Sequence, residues 1–348
     1  MPTTYAIPDG RTVMAATLYT GTGASVSISN AVNGVSFQPD MVWVKDRNNI
    51  RNHNLWDAVR GPLKELYPNL TSAEYTNTIG LSSFNSNGFT LNNGDNAWNG
   101  SGNSYVGWQW NAGGSTVTNT SGSISAQVRA NTTAGFSIVT YTGTGSAATV
   151  GHGLSVAPRM IIIFERSPGG DDHIVYHASL TSNQYSIRLN TSAAQAGPSA
   201  AYWNSTSPTS TVFSVGTSGE SNQSTATYVA YCFAAVAGYS AFGSYTGNGS
   251  ADGPFVYTGF RPRWVMMKRT DSADDWVVFD TSRNTYDVMN STLFPNGSYS
   301  ETTDSNRMID TLSNGFKIRS SPVYINASGG TYIYAAFAEN PFKYANAR

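Results

Sequence analysis

Four histidines, a few clustered aspartates and two tryptophans in polar loops are the residues whose types could do chemistry here. HIVYH (173–177) sets two imidazoles four apart, a spacing that makes a metal pair on a helix. The segment reads as a strand, however, where i and i+4 share a face but stand about 13 Å apart. His177 also aligns with Asp57 and Asp280 in the internal repeat described below, so no second copy keeps the imidazole. His53, His152, His173 and His177 therefore read as polar surface or structural groups. Polar loops follow three apolar runs: DRNNIRNHN (46–54), RSPGGDD (166–172) and RTDSADD (269–275). In the last, Asp271, Asp274 and Asp275 could offer Ca²⁺ carboxylate and backbone oxygens. No EF-hand pattern is present and the first loop lacks the Asp pair, so a solvated loop is the competing reading. Trp98 in NNGDNAWNGSGNS, and Trp203 with Asn204 in GPSAAYWNSTSPTS, sit among neutral polar residues. An exposed indole beside amides is a platform for a sugar ring; a Trp folded back as a loop anchor is the alternative.

Other chemistries find less support. No G-x-S-x-G elbow occurs, and the glycine-rich YTGTG lacks the Lys and the following helix of a phosphate loop. Glu165, behind Phe164, reads as a strand end. Cys232, the single cysteine, aligns with Gln109 and Ala336, which argues against a reactive thiol and excludes an internal disulfide framework. Asp57 with Arg60, and Asp280 with Arg283, read as turn-stabilising surface ion pairs, each worth about 0–1 kcal/mol. No cofactor is expected, and binding is expected rather than catalysis.

The elements that position these residues repeat. YTGTG at 19–23 returns as YTGTG at 141–145 and YTGNG at 245–249. After each comes a Pro and an apolar run (Pro39, Pro158, Pro262), then WDAVR, YHASL or FDTSR, then a turn with an aromatic, then a Tyr-led strand (YVGWQW, YVAYCF, YIYAAF). From the Pro to the last Tyr takes 66, 70 and 70 residues, so the order is a repeat of roughly 100 residues and not chance. A unit of that size can bury its own core.

Frequent Asn-Gly turns and period-two strands predict an all-β chain of three tandem β-sandwich, jelly-roll-like domains. The expected organisation is an N-terminal arm (1–14), unit 1 (15–112), an extended linker (113–133), unit 2 (134–238), and unit 3 with a C-terminal tail (239–348). Units 2 and 3 are expected to pack stiffly end to end. AVRGPLKELYPNL (58–70) has room for one helical turn. The Tyr-led strand reads as covered mainly on one face, and the apolar run as a central strand.

Charged residues are only 12%, replaced by Ser, Thr, Asn and Gly, and the net charge is −1. That excludes a basic field for nucleic acid. No signal peptide is read at the N-terminus, and the longest apolar stretch, YVAYCFAAVAG, is too short for a membrane span.

The series SFQPDMVWVKDR (36–47), LWDAVRG (55–61), FNSNGFTL (84–91) and YVGWQWNAGG (105–114) resembles a repeat domain of tailed-bacteriophage virion proteins, frequent in marine phages and often labelled tail fibre or structural protein. AGFSIVTYTGTG (134–145), VGHGLSVAPRMIII (150–163) and the ending AAFAENPFKYANAR (335–348) extend the resemblance over nearly the whole chain. The resemblance implies a non-enzymatic protein on the virion surface, a tail fibre or host-receptor-binding component. Its partners would be other virion proteins, met through the N-terminal arm and unit 1, and a host surface glycan; a homotrimer is one possible assembly. Capsid decoration or a head fibre is the first alternative, a glycan-degrading virion enzyme the second. The family carries no established active site to transfer.

Overall fold

The structure, a computed structural model, describes residues 5–92 and 94–338. The first four residues of the expected arm and the last ten of the family-like ending lie outside the described residues. The chain is nearly all β; among the described residues its α-helices are single turns at Ala200–Trp203, Gly219–Asn222 and Val323–Asn326.

One antiparallel strand order occurs three times. In unit 1 it runs Met14–Thr20, Ser104–Trp110, Met41–Asp46, Asn54–Asp57. In unit 2 it runs Phe136–Thr142, Thr227–Phe233, Met160–Ser167, Ile174–His177. In unit 3 it runs Ser240–Thr246, Thr331–Ala338, Pro262–Arg269, Val277–Asp280. The apolar run is central in each, as its unbroken hydrophobicity requires. The YTG strand pairs with the Tyr-led strand, setting Tyr19 opposite Tyr105, Tyr141 opposite Tyr228 and Tyr245 opposite Tyr332.

A smaller sheet covers the outer face of each main sheet. It comprises Val26–Ser29, Gly88–Leu91 and Leu81–Asn85 in unit 1, Ala148–Gly151 and Val212–Val215 in unit 2, and Phe255–Tyr257, Gly315–Ile318 and Ile309–Leu312 in unit 3. Each sandwich encloses its own core, built around Trp56 and Phe89, Tyr176 and Phe213, or Phe279 and Phe316.

The inner faces do not meet solvent. They join in one further core that takes side chains from all three units. At its centre stand the three equivalent residues Trp110, Phe233 and Phe337, each ring packed on the other two at 5.7 to 6.4 Å. Three elements at equivalent positions in mutual contact define a pseudo-three-fold axis. The units therefore surround this axis and do not stand end to end. The Tyr-led strand is covered on both faces: Val106, Trp108 and Trp110 point to the shared core, and Tyr105 to the unit's own.

The repeated pentapeptide is a clasp. Tyr19, Tyr141 and Tyr245 stack on their partners Tyr105, Tyr228 and Tyr332 at 4.8 to 5.2 Å. Their hydroxyls donate to the carbonyls of Trp98, Ser221 and Ile325. A buried Asn follows each of these: the Oδ1 atoms of Asn99, Asn222 and Asn326 accept from the N–H groups of Thr22, Thr144 and Asn248. Their Nδ2 atoms donate across the turn to Ala24, Ser146 and Ser250. The first Gly of each pentapeptide admits no Cβ, which would collide with a backbone carbonyl of that Asn loop. The second takes φ near +70°, open chiefly to glycine.

One further expectation is corrected, and the linker and the arm are found packed against the units. The linker is not free: Val117–Asn119 and Ala126–Asn131 extend the unit 2 sheet, and Arg129 is 2.8 Å from Asp40 of unit 1. Gly61–Leu66 is a strand, not a helical turn, because it pairs with Asn54–Asp57. The described part of the arm is anchored, since Ile7, Val13 and Met14 are buried in the shared core.

Candidate functional site

The two tryptophans proposed as sugar platforms are buried, at 4% and 1% exposure for Trp98 and Trp203. Trp98 packs edge-on against Trp56 and Trp203 against Tyr176. Both are thus loop anchors, and neither ring face is open for stacking. Asn204 is exposed, but it ends the Ala200–Trp203 turn in the left-handed region at φ 49°. The aspartates of 271–275 do not converge. Asp271 pairs with Arg269, Asp274 accepts from the Asp275 N–H, and Asp275 accepts from Asn296 at 2.7 Å. Among the described residues no group of three metal-ligating side chains is gathered.

The recurrent ionisable positions are spent on joints between units. Asp57 and Arg60 are buried on both sides, not on the surface, with Oδ2 and Nε 2.5 Å apart. Arg60 continues to Glu74, which accepts from Arg166 of unit 2, and Tyr231 of unit 2 donates its hydroxyl to Asp57 at 2.7 Å. The joint of unit 3 with unit 1 copies this arrangement: Asp280 with Arg283, Glu301 with Arg283 and Arg47, and Trp108 Nε1 donating to Asp280 at 3.0 Å. Burial raises the Asp280 pKa, but Arg283 and the Trp108 N–H outweigh it and hold the carboxyl below its ordinary value. The third joint lacks this ion pair. His177 replaces the Asp and Leu180 the Arg. His177 Nδ1 accepts from the Ser179 N–H, so Nε2 carries the proton and donates to Tyr334 O of unit 3.

A second ring of contacts also closes round the axis. His53 donates to Phe294 O, Trp276 to Arg188 O and His173 to Tyr67 O, each reaching from one unit to the next until the circle closes. Burial lowers His173 and His177 to about 4 and His53 well below its ordinary value, so these imidazoles are neutral donors. The two histidines of HIVYH thus serve different neighbours and form no metal pair.

Sequence reasoning passed over Lys45 and Lys268, although each ends an apolar run, which was the available signal. They occupy equivalent positions, and their ammonium groups donate to the carbonyls of Asp46 and Arg269 at 2.7 Å. Burial lowers both to about 8.

A concave polar site exists on unit 1, a cleft of about 490 Å³ between the 51–54 strand start, the 67–79 segment and the 95–98 loop. Its lining includes Asn54, Tyr67, Tyr75, Asn77, Asp95 and Trp98. Behind it Glu65 is fully buried and accepts from Asn77 Nδ2 at 2.6 Å. Burial, with the nearby charge of Asp95, raises Glu65 to about 7. Sequence reasoning singled out Trp98 alone from this group, for an exposure it does not have.

A family model described as a domain of unknown function, DUF7483, matches residues 9–341. The chain belongs to this family. The matched span runs through the main sheets of all three units, nearly the stretch of chain that supplies the shared inner core. No curated protein matches the chain.

Proposed function

We propose that this chain is a non-enzymatic surface component of a bacteriophage particle, working by adhesion as a tail-fibre or host-receptor-binding protein. The observation that carries the reading is the cyclic closure of three units in one chain. It yields a rigid body whose recurrent Asp, Arg, Glu and His side chains are consumed by internal joints, leaving a surface dominated by neutral polar residues. Such a body is suited to presenting loops rather than turning over a substrate. It also supplies within one chain the three-fold form that fibres otherwise obtain from a homotrimer. Contact with other virion proteins is assigned to unit 1, which the linker strands and Arg129 brace.

The same pseudo-three-fold form favours one second reading, capsid decoration, in which the molecule seats on a local three-fold site of the shell. Cryo-electron microscopy of particles carrying the chain separates the two. Density at the tail tip or fibre supports adhesion. Density spread over the capsid lattice transfers the proposal to decoration, and absence from purified particles removes both.

A further inference from the structure

Unit 1 departs from the other two where its cleft lies. Asn54 aligns with Ile174 and Val277, and Glu65 with Ser186 and Thr292. Trp98, placed by the clasp, corresponds to Ser221 and Ile325. Stability alone is met at position 54 by an apolar side chain, as Ile174 and Val277 show by lying fully or almost fully buried in their own cores. Asn54 is also fully buried. Its Nδ2 reaches Asn52 O and Ala97 O at 3.3 Å, but its Oδ1 has no protein partner. Glu65 Oε1, Trp56 Nε1 and Trp98 Nε1 are likewise buried without a partner. Two of these residues, Asn54 and Trp98, line the cleft itself, and an unmet buried polar atom there is costly.

We propose that this cleft is a binding site for one or two rings of a neutral hexopyranose glycan. The volume falls within the usual range of ligand sites. Tyr75, 58% exposed, offers an aromatic face for the C–H side of a sugar ring. Asn77 and Asp95 offer the mixed donors and acceptors that hydroxyl groups require. Asn54 lines the cleft, with its unpartnered Oδ1 just beneath the surface. Arg51 and Asp95 both line the cleft, so its fixed charges balance and an anionic sugar gains no net attraction.

This inference rests on the adhesion reading for its biological sense, but its test is independent of where the chain sits on a particle. The whole protein would be titrated with the methyl glycosides of glucose, galactose, mannose and N-acetylglucosamine, and with glucuronic acid. Intrinsic fluorescence and ligand-observed NMR would report binding. At least one neutral glycoside should bind saturably. Affinity should fall about tenfold in Tyr75→Ala, from the lost stacking, and further in Asn54→Ile. The Ile variant carries the residue unit 2 already buries there, and Tyr75→Ala alters an exposed side chain, so folding is preserved in at least one of the two. Absence of binding by every neutral glycoside overturns the proposal. So does binding that both variants retain, or tighter binding of glucuronic acid. Sugar binding by a chain found on the capsid would sink the adhesion reading and leave this one standing.

Discussion

Replacing Arg60 with Leu tests the joints most directly. Asp57 and Arg60 are both fully buried, so the variant leaves a carboxylate out of water without its cation. Asp57 would keep the N–H groups of residues 59 and 60 and the Tyr231 hydroxyl, and Glu74 would keep Arg166. Breaking a buried pair on one side costs about 3–5 kcal/mol. Unit 2 already carries Leu180 at this position, so Leu fits the site sterically. The double variant Asp57→Asn/Arg60→Leu removes the stranded charge and keeps an amide oxygen for the two backbone N–H groups. It should recover at least half of the loss, about 2 kcal/mol, and the Asp57→Asn single variant completes the cycle that gives the coupling energy. The assay is urea unfolding followed by tryptophan fluorescence and far-UV circular dichroism, with midpoints compared at constant m. A loss under about 1 kcal/mol for Arg60→Leu is the surface-pair result and would refute the joint as described. A double variant no better than the single would refute the buried-charge explanation.

Because the inner core is common to three units, calorimetry should give one cooperative transition; separate transitions would show three independent domains. His173 and His177 are held near 4, below an unfolded value of about 6.5, so the unfolded chain takes up their protons first. Their stabilising effect is present above pH 6.5 and lost as pH falls towards 4, about 3 kcal/mol for each. Gln at both positions should flatten the acid limb of a stability–pH curve. Asn222→Ala removes two donations and two acceptances inside the unit 2 clasp and should cost about 3 kcal/mol in urea unfolding. Cys232 is buried and its thiol is raised by burial, so Ellman's reagent should label it only after denaturation.

Local chemistry was legible in the residues. Period-two strands, Asn-Gly turns and the unbroken apolar run depend on neighbours close in the chain, and they led to an all-β chain with the apolar run central. The recurrence of YTGTG was legible too, but not its reason: the tyrosine hydroxyl and the N–H three residues on find their acceptors 77 to 80 positions away. Asp57 and Arg60 stood out by type and spacing, yet read as surface groups, because the Tyr231 that helps cover them lies 174 positions away. Trp98 lay among polar letters and read as exposed, although packing against Trp56 decides its environment. Alternation determines that a strand has two faces; it does not state what covers each. Only the tertiary structure turned three inner faces toward one axis, because hydrophobic burial is non-directional and its partners are chosen by the shape of the whole chain.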